Sequence, residues 1–201
     1  MDRNGWEERY AASEQTFVRG PNRLVVAEVG PRAPGVALDL ATGEGRHAAW
    51  LASEGWQVVA VDFAATGLAR AQARAREEGH RIAFVQADVH ALRLPAGRFD
   101  LVLAAFFHPR PPERAALYRS VAAALAPGGR LVLVTYDLAN LTEGTGGPQD
   151  PEILLQPALA RAELEALGLT VTRADTVKLR SPMADGTEVD VVDAVVTAVR
   201  P

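Results

Sequence analysis

Three aspartates occupy equivalent places in a repeating pattern. Asp39 lies near the end of the short apolar run Val36-Ala37-Leu38-Asp39-Leu40, Asp62 follows the run Trp56 to Val61, and Asp88 follows Ile82 to Gln86. After the first run comes Ala41-Thr42-Gly43-Glu44-Gly45, then Arg46 and His47. A turn of such small residues lets a ligand approach the backbone closely. A helix starting at Arg46 would present free N–H groups and a partial positive charge, suited to a carboxylate or phosphate. An acid closing the second strand can accept from two ribose hydroxyls. Asp88, at the third, is placed to accept from an exocyclic amine. Asp39 lies inside a strand end, where a cationic ligand with an ammonium group would give it a partner. Taken singly, each acid reads equally well as a helix or turn cap; the coincidence at three successive strand ends favours a ligand site. His108, beside Phe106 and Phe107, is the candidate general base, against the simpler reading of a structural loop histidine. Cysteine is absent, so no thiol nucleophile or Cys-based zinc site is available, and no metal-ligating set is read from the chain.

These residues need elements to position them, and the periodicity supplies them. Apolar runs that read as strands span 36–40, 56–61, 82–86, 99–105 and 130–136. Helical patterns separate them at 46–53, 64–78 and 111–125, stopped by Gly55, Gly79 and Pro127-Gly128-Gly129. Strands that alternate with helices predict right-handed crossovers and a parallel sheet covered on both faces. Two short helices are expected first, at 6–12 and in 22–29, the second opened by Pro21 and stopped by Gly30. Beyond strand five the pattern changes. Residues 137–156 read as a long loop, a length that is uncommon unless functional or disordered. A helix at 158–167 follows, then two strands, 170–179 and 188–199, turned by Asp185-Gly186 as a hairpin. The architecture is thus a single α/β domain over 1–201. It has a doubly wound, mostly parallel seven-stranded sheet, a C-terminal antiparallel hairpin and one antiparallel strand at an edge. Residues 1–30 form an N-terminal helical lid with Tyr10 and Arg9 folding over the site, and the loop 137–157 borders the acceptor side, where Tyr136 forms a wall.

The glycine turn also satisfies G-x-G-x-x-A over Gly43 to Ala48, a dinucleotide fingerprint, so an NAD(P)-dependent oxidoreductase is one reading. It leaves Asp39 unexplained. Together, Asp39-Leu40-Ala41-Thr42-Gly43-Glu44-Gly45-Arg46, Val61-Asp62, Ala87-Asp88, Phe99-Asp100-Leu101-Val102 and Pro127-Gly128-Gly129 resemble the class I S-adenosylmethionine-dependent methyltransferases, which have a Rossmann-like fold. Trp6-x-x-Arg9-Tyr10 and the segment 144–155 are similar to a small bacterial subgroup, the tellurite-resistance methyltransferases. The resemblance implies S-adenosyl-L-methionine as cofactor and a small-molecule methyl acceptor. It implies that Asp39 holds the donor's ammonium near Ala41, Gly43 and Gly45, with Arg46 bracing the loop or the donor carboxylate. Asp62 takes the ribose hydroxyls, Phe63 lies against adenine, and Asp88 and Val89 receive its edge; Tyr10 and Ala105 complete the set. Ala41 departs from the glycine common at its position. A non-catalytic donor-binding protein is the third reading, against which Phe106, Phe107 and His108 argue.

Bulk properties narrow the partners. At 201 residues and net charge −4, with scattered arginines, the chain lacks the basic groove a nucleic acid would require. It has no apolar stretch of the roughly 20 residues a membrane span needs. The polar, acidic start is unlike a signal peptide, and the reading is of a cytoplasmic protein, monomer or homodimer.

Overall fold

In the computed structural model, which describes residues 2–13, 15–182 and 186–201, seven strands form one sheet in the order β3-β2-β1-β4-β5-β7-β6. The strands are β1 (Val36–Leu40), β2 (Gln57–Asp62), β3 (Ile82–Gln86), β4 (Phe99–Ala105), β5 (Leu125–Tyr136), β6 (Thr170–Pro182) and β7 (Glu188–Val199). The first five run parallel. From β1 the chain winds outward to β2 and β3, then returns to place β4 and β5 on the other side. The order therefore reverses between β1 and β4. Crossover helices leave a crevice at the C-terminal strand ends there, where open α/β sheets bind ligands.

Helices α1 (Arg3–Ala11), α2 (Arg23–Val29), α3 (Arg46–Ser53), α4 (Ala65–Glu77), α5 (Pro111–Ala124), α6 (Asn140–Glu143) and α7 (Pro157–Glu165) complete the layers. One face of the sheet packs Leu101, Leu103, Val132, Val134 and Val195 against Val25 and Val29 of α2 and Leu51 of α3. The other packs Leu38, Val102, Leu131 and Val196 against Val121 of α5 and Leu164 of α7. Burial on both faces is why these strands read as continuous apolar runs.

The antiparallel strand is not at the edge. β7 is inserted between β5 and β6 and runs antiparallel to both, which leaves β6 outermost. The reason is compositional. In β7, 191–198 is a run of buried residues, whereas none of 170–181 in β6 is buried. The more apolar strand goes inside, and Arg173, Lys178 and Arg180 protect the free edge. Of the turn between them, Asp185 lies outside the described residues; Gly186 has φ +86° and supplies the left-handed conformation a tight turn needs.

Two local expectations change. α2 is opened by Asn22, whose Oδ1 accepts from Leu24 N at 2.8 Å, so Pro21 precedes the cap instead of starting the helix. Residues 137–156 are an ordered strap containing α6 and a 3₁₀ turn at Pro151–Ile153. Asp137 N donates to Val192 O at 2.9 Å and Thr145 N to Asp190 O at 2.8 Å. Asn140, buried, accepts from Val192 N at 2.9 Å through Oδ1 and donates through Nδ2 to Gly146 O at 2.9 Å. These bonds sew the strap to the hairpin. Among the described residues, no helix is long and apolar enough to cross a membrane.

Candidate active site

The turn after β1 is built from left-handed residues, with φ of +55° at Ala41, +56° at Gly43 and +75° at Gly45. Glycine adopts this region freely, while a Cβ costs roughly 1–2 kcal/mol, so Ala41 carries strain where the likeness leads one to expect glycine. Gly45 has a second constraint: a Cβ there would lie 2.7 Å from Ala71 Cβ, so α3 and α4 meet only because it is glycine.

Two buried carboxylates hold this turn. Asp39 Oδ2 accepts from Thr42 Oγ1 at 2.6 Å. Asp62 Oδ2 accepts from Gly43 N at 2.8 Å and Oδ1 from Ala64 N at 2.9 Å, so one side chain fixes both the glycine turn and the entry to α4. Each carboxylate keeps further lone pairs for a ligand. Burial pushes the Asp39 carboxyl up to about 7, opposed by the Thr42 hydrogen bond, and the neighbouring Asp62 charge adds to the rise. Asp62 is raised too, chiefly by burial, against its backbone hydrogen bonds. Arg46 is the facing cation. Burial lowers its pKa against the attraction of Asp39. Its guanidinium lies 5.4 Å from the Phe106 ring centroid and 6.0 Å from that of Phe17.

The N-terminal segment closes over the turn. Tyr10 is buried, and a Cβ on Gly43 would lie 2.7 Å from its hydroxyl; its ring edge would lie 3.1 Å from a Cβ on Gly67. Tethers that sequence reading missed hold the segment down. Glu7 accepts from Ala65 N at 2.5 Å and Thr66 N at 3.0 Å, capping α4 from another helix. Arg70 donates to Tyr10 O at 2.5 Å, to Ser13 O and to Glu44 Oε1 at 2.7 Å. Glu44 in turn accepts from Phe17 N at 3.1 Å. Glu7, Glu44 and Arg70 form no local pattern, because their partners lie 26 to 60 residues away.

At the third strand end, Asp88 Oδ1 caps the 3₁₀ turn Val89–Ala91 by accepting from His90 N at 2.9 Å. Asp88 is exposed and Val89 buried. Phe63 is half-buried, with the Arg3 guanidinium 5.9 Å from its centroid.

Across the switch point, half-buried Ala105 ends β4, and Phe106 follows in a left-handed conformation (φ +56°). Such strain in an aromatic residue persists only where its surroundings impose it. Phe106 meets Tyr136 edge-on at 5.5 Å, and His108 stacks on Tyr136 at 5.9 Å. Burial pushes His108 down to about 4, and among the described residues its Nε2 has no hydrogen-bond partner. It is a neutral imidazole at pH 7. His47 is buried and accepts from Asn22 N at 3.2 Å, which ties α3 to α2 and makes it a packing residue. Asp193 of β7 was also missed. It is buried opposite Tyr136 in the ladder, and its signal was an acid interrupting the run Val191-Val192-Asp193-Ala194-Val195.

The structure thus brings Tyr10, Asp39, Ala41, Gly43, Gly45, Arg46, Asp62 and Phe63 to the β1 and β2 ends. Asp88 and Val89 lie at β3, and Ala105 and His108 at β4. The cluster around the turn is dominated by carboxylates, which suits a cationic ligand and repels a pyrophosphate. A wide groove lined by Trp56, Gln72, Arg76, His80 and Phe84 lies at the opposite strand ends and holds none of these groups.

Residues 37–129 match the model of a methyltransferase domain family. The chain is 41% identical over 111 residues to a demethylmenaquinone methyltransferase of Thermus thermophilus, which covers 52% of this chain and 49% of that protein. It is 32% identical over 115 residues to a ubiquinone/menaquinone biosynthesis C-methyltransferase of Shewanella frigidimarina, covering 54% and 46%. Over this stretch the chain is similar to methyltransferases. It spans about half the length of these curated relatives, neither of which is by name a tellurite-resistance protein. A solved S-adenosylmethionine-dependent methyltransferase from Methanosarcina mazei has a similar fold, with a TM-score of 0.70 at 18% identity, covering 90% of this chain and 98% of that one. A structure described for the conversion of a disulfide bond into a thioacetal group during echinomycin biosynthesis matches at TM-score 0.76 and 21% identity, covering 98% and 92%. These likenesses are of fold. The matched segment, residues 37–129, contains the glycine turn, the three aspartates, Phe106 and His108; it leaves out α1, Tyr136, the strap and the hairpin with Asp193.

Proposed function

We propose that the protein transfers a methyl group from S-adenosylmethionine to a small organic acceptor. The observation that carries this reading is the pair Asp39 and Asp62, buried around a left-handed glycine turn at the switch point of the sheet. The donor set fits the cofactor: carboxylates for an ammonium and for ribose hydroxyls, small residues for close approach, and an aromatic face at Phe63. Asp39 would hold the ammonium and Asp62 the ribose, while Phe63, Asp88 and Val89 would border adenine. When bound, the cofactor supplies a methyl group already made electrophilic by its sulfonium.

The chain's own work is to position and to exclude water. Tyr10 closes over Gly43, and Arg70 with Glu7 holds that closure in place. Ordering of both reactants in one geometry supplies much of the acceleration in such a displacement. Phe106, His108 and Tyr136 offer an aromatic wall to the acceptor, with the strap 137–156 beside it. The names of the relatives point to quinone-type rings as acceptors, and the aromatic wall favours that class.

Calorimetric titration with S-adenosylhomocysteine and with NADH tests the reading. Binding of the sulfur compound, weakened at least about tenfold in Asp62→Ala, is the expected result. Binding of NADH alone would replace it with the oxidoreductase.

A further inference from the structure

The acceptor side holds a buried carboxylate that the donor does not use. Asp193 is 1% exposed, flanked along β7 by buried Val191, Val192, Ala194 and Val195. Among the described residues its Oδ1 has no hydrogen-bond partner. An ionisable oxygen buried without a donor is costly and rare in native structures, and such groups concentrate at functional sites. Its place decides what it can reach. Asp193 and Tyr136 are direct ladder partners, so their side chains share the face on which α2 and α3 pack. Tyr136 carries Phe106 against its edge and His108 on its face. Arg46 lies over Phe106 and, among the described residues, makes no hydrogen bond or ion pair; it feels the charges of Asp39, Tyr136 and Asp193 together. Among the described residues, a cation without an ion pair and a carboxylate oxygen without a donor thus flank one aromatic wall, on the β4 and β5 side of the glycine turn.

We propose that Asp193 takes the proton from a hydroxyl-bearing aromatic acceptor seated against Phe106 and Tyr136, with Arg46 facing the oxyanion that forms. The assignment rests on the methyltransferase reading and deepens it. The acceptor O–H bond breaks and its proton passes to the Asp193 carboxylate. The electron pair left behind forms the new bond to the methyl carbon, and the pair of the methyl–sulfur bond stays on sulfur. If the ring carbon beside the oxygen is the atom methylated, that carbon then loses its own proton to water. An amine acceptor fits less well, because nitrogen becomes positive as it takes the methyl group and would face Arg46. A metalloid oxyanion or a thiolate needs neither a base nor a ring.

The groups facing Asp193 set its titration. Arg23 of α2 and Arg46 of α3 favour the carboxylate; Asp137, just beyond β5, opposes it; β6 presents only Val177 opposite. Tyr136 completes the surroundings, and His108 beside it is neutral. Burial outweighs the two arginines and lifts Asp193 to about 7.

The test compares wild type with Asp193→Asn and Asp193→Val. Transfer from S-adenosylmethionine to 1,4-naphthalenediol, kept reduced, is followed from pH 5.5 to 9. Binding of S-adenosylhomocysteine is measured by calorimetry and melting temperature at each pH. Wild type is expected to transfer with a rate that rises through about pH 7. Both variants are expected to bind the donor product within about threefold of wild type while losing about 100-fold or more of the transfer rate. The rate that remains should climb only toward the acceptor's own ionisation. A reading independent of turnover is that both variants melt above wild type at pH 8, by a margin that narrows as pH falls toward 5.5. Transfer within threefold of wild type with an unchanged pH profile would overturn the role, as would failure of both variants to fold, which would make the carboxylate structural. Wild type that binds the donor product but methylates no hydroxy-aromatic ring overturns this inference alone. Wild type that does not bind the donor product overturns the function on which it rests.

Discussion

At the scale of single residues, the site is a balance between burial and charge. Asp39 shows it most clearly, because its carboxyl is lifted to about 7 in the fold while an unfolded chain leaves aspartate near its ordinary 3.9. A proton is therefore bound more tightly by the folded state. As pH rises from 4 to 7, the unfolded chain ionises first, and folding weakens by on the order of a few kcal/mol. Asp39→Asn removes that dependence. Its melting temperature should exceed that of wild type at pH 8, and the difference should shrink steadily below pH 7 and vanish only below about pH 4. The same carboxylate gains a partner when a ligand ammonium arrives, so donor binding should release a proton near pH 6.5 in wild type. Calorimetry in buffers of different ionisation enthalpy would detect this release, and it should shrink in Asp39→Asn. A variant that melts lower at every pH would show that the charged form is not the costly one.

Elements decide how long the donor stays. α1 contributes little of its own: only Tyr10 is buried along it, and its hold on the sheet comes from Glu7 and Arg70. Helices that act as lids are drawn from such weakly held segments. Arg70→Ala removes three contacts at once, to Tyr10 O, Ser13 O and Glu44. Amide exchange in 3–17 should accelerate in this variant while β1, β4 and β5 remain protected. Affinity for S-adenosylhomocysteine should drop about three- to tenfold, mostly through faster release. Unchanged exchange in 3–17 would mean that packing of Trp6 and Tyr10 alone secures the lid. The element scale also shows what could be read from the sequence. The strands of the parallel half and the three aspartates were legible, because periodicity and strand ends are local signals. The strap was not. Its order comes from Thr145 reaching Asp190 and Asn140 reaching Val192, contacts over tens of residues with no local periodicity. Tyr10 was legible only as a candidate lid residue; the tethers that hold its segment against the glycine turn come from α4 and that turn. Asp193 was visible in the sequence as an acid inside an apolar run, but its neighbour Tyr136 lies 57 residues earlier.

For the whole molecule, the question is whether the donor and acceptor sides rest on one cooperative unit. The sheet says that they do. β4 stands between β1, which carries Asp39, and β5, which carries Tyr136. Leu103 at its centre is fully buried against the face covered by α2 and α3. Its neighbours in the ladder are Asp39 on one side and Val132 on the other. Truncating a leucine in such a place leaves a cavity that a close-packed core cannot collapse to fill, at a cost of about 2–5 kcal/mol. Leu103→Ala should therefore lower the melting temperature by many degrees in a single transition, with β1, β5 and β7 losing amide protection together. A contrasting substitution lies on the same sheet, at exposed Val85 on the outer strand β3, 37% accessible; Val85→Thr there should change stability by less than about 0.5 kcal/mol. If Leu103→Ala instead produced two transitions, with the hairpin melting apart from β1 to β3, the acceptor wall would be a separable unit. Asp193 could then be placed or displaced without disturbing the donor turn. A single transition means that the register of β7 against β5, and with it the alignment of Asp193 with Tyr136, is held by the same core that holds Asp39 and Asp62 around the glycine turn.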